Sequence, residues 1–146
     1  GDDAAFVAGW ALYAQSLGTE LGLYADPYSQ FGALNVELWR AAALVADTGL
    51  HAQGWSRQRA VDYLRENTAL GESDIAAEVD RYVACPGQAL ADKIGQLKIL
   101  ELRRRAEQQL GERFDLREFH EQVIGSGILP LSVLESRINR WIDARS

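Results

Sequence analysis

The large apolar side chains of this chain recur with helical spacing almost from end to end. Between Phe6 and Tyr24, the residues Phe6, Trp10, Tyr13, Leu17, Leu21 and Tyr24 alternate steps of four and three, which stacks them on one stripe of a helix and predicts a core face. A second stripe of the same segment, Ala4, Ala8, Ala11, Gln15, Gly18 and Gly22, is almost entirely small. Small side chains let another backbone approach closely or leave a cavity, so this stripe is the first place to look for a site.

Asp26-Pro27 ends that helix, because proline disfavours helical geometry in the residue before it. A second helix is expected from Tyr28 to Ala46. Phe31, Leu34, Leu38, Ala41 and Val45 would face the core, Trp39, Ala43 and Ala46 would lie on an adjacent stripe, and Gly49 would be the left-handed cap. His51 to Trp55 then reads as a loop. Ser56 suits the N-cap of a helix burying Ala60, Val61 and Leu64, and beyond Gly71 a short helix carries Ile75, Val79 and Tyr82. Cys85-Pro86-Gly87 opens the longest helix, with Pro86 at its first position. That helix should reach Leu110, stop at Gly111 and turn Leu90, Ile94, Leu97 and Ile99 inward. Asp115 and Glu118 form a capping box ahead of Leu116, Phe119 and Val123. After Gly125-Ser126-Gly127, Pro130 starts a last helix with Leu131, Leu134, Ile138 and Ile142. No segment alternates with period two for long enough to make a strand. The expected fold is all-α, a single-domain irregular bundle of about seven helices over residues 1–146.

Composition narrows the function mainly by exclusion. Hydrophobic residues at 47% and charged residues at 25% are ordinary for a globular domain, and a net charge of -6 offers no basic footprint for nucleic acid. Arg103-Arg104-Arg105 lies among Glu101, Glu107 and Glu112 and reads as a solvated, partly paired helix face. Gln15, Glu20, Arg40 and similar residues interrupt every apolar run, so no membrane span is expected. The absence of Met, with Gly1 ahead of Asp2-Asp3, leads to the expectation that the sequence starts at a cut or processed boundary.

Candidate chemistry is sparse. The chain has 2 His, His51 and His120, and no HExxH, so no zinc site can be assembled and neither metal nor cofactor is expected. Cys85 is the single cysteine, which excludes an internal disulfide, and a buried inert thiol is the expectation. Asp92 falls early in the long helix, between Gln88 and Gln96 on a polar stripe. Facing the small seam of the first helix, it would be a carboxylate in an apolar hollow, with the enhanced basicity of a general base. The alternative is an exposed first-turn acid favoured by the helix dipole. His51 is a second candidate, against a purely structural hydrogen-bonding role.

The runs Gly9-Trp10-Ala11-Leu12-Tyr13, Asp26-Pro27-Tyr28, Glu37-Leu38-Trp39-Arg40-Ala41, Asp47-Thr48-Gly49-Leu50-His51, Gly54-Trp55-Ser56-Arg57, Asn67-Thr68-Ala69, Pro86-Gly87-Gln88-Ala89-Leu90 and Lys93-Ile94-Gly95-Gln96 occur in that order. Together with Phe114-Asp115-Leu116-Arg117, Phe119-His120 and Pro130-Leu131, this series resembles the C-terminal part of the bacterial domain-of-unknown-function family numbered 885. The resemblance implies kinship with much longer thermolysin-type zinc peptidases, whose N-terminal portion carries the HExxH helix. It also marks departures. The family's Glu-Gly-Trp-Ala, whose Glu is the implied third zinc ligand, has Ala8 here, and a second Glu is replaced by Gln15. An Arg ahead of Asp-Thr-Gly is lost at Ala43, and a Tyr suited to steadying an oxyanion is replaced by Asp92. Asp47 and His51 keep the family's polar identity.

What the resemblance implies is a non-catalytic scaffold or ligand- and partner-binding domain, either a natural pseudoenzyme or an engineered variant. Its apolar pocket would be lined by Ala8, Leu12, Gln15, Ala43, Ala46, Asp47 and Gln88 and open to a small apolar molecule. The alternative is a repurposed enzyme using Asp92 as general base, with His51 or Gln15 as partner, for proton abstraction, isomerisation or cyclisation. Apolar faces that would pack on an absent half predict a homo-oligomer. A soluble protein of the bacterial cytoplasm or periplasm fits both readings.

Overall fold

A computed structural model describes residues 2–146. Among the described residues it contains seven α-helices and no strand: α1 (Asp2–Glu20), α2 (Pro27–Ala52), α3 (Arg57–Asn67), α4 (Glu72–Ala84), α5 (Gln88–Leu110), α6 (Leu116–Ile124) and α7 (Leu131–Asp143), with a 3-10 turn at Gly111–Arg113. The all-α expectation holds. Among the described residues no helix is long and apolar enough to cross a membrane.

Local chemistry sets most of the helix ends. Asp26 caps α2 by accepting from the Tyr28 and Ser29 amides, both at 3.0 Å, with Pro27 at the first helical position. Ser56 and Asp115 cap α3 and α6 through the Arg59 and Glu118 amides. At the end of α1, Leu23 N donates to Gly18 O and Gly22 N to Thr19 O, with Gly22 at φ 70°, the paired closure of a Schellman motif. The helix therefore stops at Glu20, and Tyr24 folds back over Gly18 instead of extending the stripe.

Two cores share the long helix α5. The larger joins α1, α5, α6 and α7 through Phe6, Tyr13, Ile99, Leu102, Phe119, Leu134, Ile138 and Ile142. The smaller joins α2, α3 and α4, with Ala89 of α5, around Ala43, Ala46, Leu64, Ile75, Val79 and Tyr82. Helices α1 and α5 cross at two glycines. A methyl group added to Gly9 would lie 2.7 Å from the Gln96 backbone nitrogen, and one added to Gly95 would overlap the Ala5 carbonyl. The close approach foreseen for the first helix thus occurs at Gly9, not on the stripe containing Ala4, Ala8 and Ala11.

Several expectations are corrected, among them that α5 is the longest helix and begins at Pro86: α2 is longer, and α5 begins at Gln88 after a left-handed Gly87. Helix α2 runs past Ala46 to Ala52, because Gly49 is buried inside it under the Trp55 indole, which leaves no room for a side chain there, and Gly54 takes the positive φ instead. The large stripe of α2 faces outward: Phe31 is 64% exposed, Leu34 67%, Leu38 49% and Val45 42%. The buried stripe is Ala42, Ala43, Ala46, Asp47 and Gly49, small enough for α3 and α4 to pack close. In α5, Ile94 and Leu97 are exposed while Gly95, Gln96, Ile99 and Leu102 turn inward, because the glycine crossing with α1 sets the helix rotation. Cys85 is also exposed, at the C-cap of α4.

Candidate functional site

Two of the polar residues singled out by the sequence are tied to backbone. Asp47 is buried, and both of its carboxylate oxygens accept the Gly87 amide at 3.1 Å, which anchors α2 at the N-terminus of α5 where a negative charge is favoured. His51 lies in the last turn of α2, not in a loop. Its Nε2 donates to the Tyr82 carbonyl at 2.9 Å and stands 4.0 Å from Asp47. With Nε2–H committed to a carbonyl, that nitrogen is not free to act as a base. Together they clamp α2 to the α4–α5 turn.

Asp92 accepts from Arg40 Nη1 at 2.9 Å, and both side chains are partly buried. The carboxylate is therefore paired with a guanidinium and does not stand alone in an apolar hollow. Gln88 is exposed and accepts from Arg81 at 3.2 Å. Ala43 and Ala46 belong to the packed core against α3 and α4, and Leu12 is buried with its carbonyl receiving Gln96 Nε2 at 3.3 Å. Ala8 is half-buried on α1. Of these residues only Gln15 lines the groove between α1, α2 and α5, so the structure does not gather Ala8, Leu12, Gln15, Ala43, Ala46, Asp47, Gln88 and Asp92 around that hollow.

That groove, of about 580 Å³, opens where the C-terminal half of α1 and the N-terminal half of α2 splay apart over α5. Ala33, Leu34, Val36 and Leu100 give it apolar walls, while Gln15, Glu20, Gln30, Glu37, Lys93 and Gln96 supply polar atoms. At its floor, Lys93 Nζ donates to Glu37 at 2.6 Å and to Gln96 Oε1 at 2.8 Å, and Gln96 Nε2 donates to Glu37 at 3.0 Å. Gln96 is fully buried and satisfied by this triangle and by Leu12 O. Burial opposes ionisation of Glu37, but the bonds from Lys93 and Gln96 outweigh it and hold the carboxyl below its ordinary range.

A second polar cluster stands beside the groove. The buried Tyr13 hydroxyl donates to His120 Nε2 at 2.8 Å, and Arg103 reaches the same oxygen at 3.4 Å while gripping Glu20 with two bonds of 2.9 and 2.8 Å. Those bonds hold the Glu20 carboxyl below its usual range. Burial, then the nearby Arg103 charge, pushes His120 below 6.5, matching a neutral ring that accepts from tyrosine. Burial likewise raises Tyr13, against the pull of Arg103.

Neither cluster was legible beforehand. Tyr13 sits in an apolar stripe, and its partner is 107 residues away. The signals that could have found them are Glu37, Lys93, Gln96 and His120, polar residues inside the quoted motifs.

The donor set does not fit a zinc ion. Position 8, where the resemblance expects a ligand, carries a methyl group, and among the described residues no group of three or more His, Cys, Asp or Glu is placed to hold a metal.

The model of the family described as "Bacterial protein of unknown function (DUF885)" matches residues 2–138. A solved structure described as "The crystal structure of the putative lipoprotein from Colwellia psychrerythraea" is 48% identical with a TM-score of 0.94, covering 97% of this chain and 24% of that chain. The present chain thus spans about a quarter of the length of that protein. No curated protein matches it.

Proposed function

The chain belongs to the bacterial family of unknown function DUF885, and from that premise we propose that it is a non-catalytic helical module whose α2 binds a helical partner, the remaining part of a longer polypeptide like its solved relative. The observation that carries this reading is the exposed stripe of α2. Phe31, Leu34, Leu38, Ala41 and Val45 follow steps of three and four, the spacing of a coiled-coil seam, and Tyr28, 88% exposed, extends the patch. Contiguous apolar surface of this kind marks an interaction face. The non-catalytic half of the reading is supported by Ala8 at the implied ligand position, by the pairing of Asp92 with Arg40, and by the backbone duties of Asp47 and His51.

With that partner absent, two copies cover the stripe against each other. Sedimentation velocity on the 146-residue chain is expected to show concentration-dependent association that Leu38→Glu abolishes. At concentrations low enough that both proteins are monomeric, thermal stability should be unchanged by that variant within about 0.5 kcal/mol, since Leu38 is half exposed. A monomer at all concentrations that binds no apolar dye would remove the basis for the interaction face. Stoichiometric zinc together with peptide cleavage would end the non-catalytic reading.

A further inference from the structure

The groove between α1, α2 and α5 carries charge in an unusual arrangement. Two ion pairs border it, and in both the cation is the buried member: Lys93 is 14% exposed against 44% for Glu37, and Arg103 is 15% exposed against 50% for Glu20. Most donors of both cations are engaged, with one N–H of each left over. Lys93 is bonded to Glu37 and Gln96, and Arg103 to Glu20, Glu107 and Tyr13. The carboxylates keep unused lone pairs and turn toward the opening. A molecule entering the groove therefore meets acceptor oxygens next to an apolar wall of Leu34, Val36 and Leu100, with the compensating positive charge behind them.

We propose that this groove is a binding site for an organic amine, its protonated head received by Glu37 and Glu20 and its aliphatic body lying along Leu34, Val36 and Leu100. An anion of the same size would meet the more exposed carboxylates first, with the cations buried behind them, whereas an ammonium adds to oxygens already held ionised. The volume of about 580 Å³ lies within the range usual for small-molecule sites. This site is independent of the α2 seam except that Leu34 belongs to both.

The test is an NMR titration with hexylammonium and, in parallel, hexanoate. Hexylammonium should shift the Gln96 side-chain amide and the Leu34 methyls saturably, with affinity falling as salt is raised. Glu37→Gln should weaken binding by about tenfold, the loss of one charge-assisted contact. Because that change also unpairs Lys93, Glu20→Gln at the exposed rim serves as a second variant and should weaken binding several-fold with the fold intact. Hexanoate binding at least as well as hexylammonium, no saturable shift at the groove, or unchanged affinity in a folded Glu20→Gln or Glu37→Gln protein would each overturn the proposal.

Discussion

At the scale of single residues, the contact between Tyr13 and His120 is the one most sensitive to solution conditions. Burial and the Arg103 charge favour a neutral imidazole, whose Nε2 lies 2.8 Å from the tyrosine hydroxyl and can accept its proton. A histidine lowered below 6.5 in the folded state stays neutral while the unfolded chain takes up a proton. The unfolded form then binds more protons, and stability falls as pH drops below 6.5 toward the folded value. Glu20 and Glu37 act at lower pH. Their depressed carboxyls contribute stability above 4.5 that is lost as pH falls through their folded values. Acid destabilisation should therefore come in two stages, followed by melting temperature against pH. His120→Gln should flatten the upper stage and leave the lower one, and an identical upper stage in that variant would mean another group titrates there. His120→Ala should cost roughly 1–3 kcal/mol at neutral pH, because the buried Tyr13 hydroxyl loses its acceptor.

At the scale of elements, the helices whose apolar residues form one stripe were legible in the sequence. Helices α3, α4, α6 and α7 bury Leu64, Ile75, Val79, Phe119, Val123, Leu134 and Ile138 as their spacing implies. Helix α2 carries two candidate stripes. Pattern alone favours the larger residues, but packing of α3 and α4 required the smaller ones, and the larger stripe is left exposed. The groove was illegible for a different reason: its polar floor joins Glu37 to Lys93 and Gln96 across 56 and 59 residues, and no local pattern records such a distance. The α1–α5 crossing gives the test at this scale. Gly95→Ala forces a methyl into the Ala5 carbonyl and should destabilise by about 2–3 kcal/mol. Gly32→Ala, inside α2 with nothing within 4 Å of the added carbon, should stabilise by about 0.4–1 kcal/mol. Denaturant unfolding of the two variants checks both signs; a neutral Gly95→Ala would mean that the helices are not in contact there.

On the scale of the whole molecule, the two cores differ in kind. The core of α1, α5, α6 and α7 is filled by Phe6, Tyr13, Phe119, Leu134, Ile138 and Trp141, whereas that of α2, α3 and α4 relies on Ala42, Ala43, Ala46 and Ala60 around a few larger side chains. Burial energy scales with apolar area, so the smaller core contributes less. The ion pairs Arg57–Asp80 and Arg65–Glu72 that tie α3 to α4 are exposed and add little. Local opening should therefore begin at α3 and α4, and amides there should exchange faster than those in the middle of α5. Ile75→Ala and Ile138→Ala each remove a fully buried side chain and should each cost about 2–5 kcal/mol. Their exchange patterns should differ: Ile75→Ala accelerates α3 and α4 and leaves α1 and α7 almost unchanged, while Ile138→Ala accelerates every helix, since nothing outlasts the larger core. Uniform acceleration by both would show that α5 couples the two cores into a single cooperative unit, and the α2–α4 half would then have no separate opening through which to accommodate a partner.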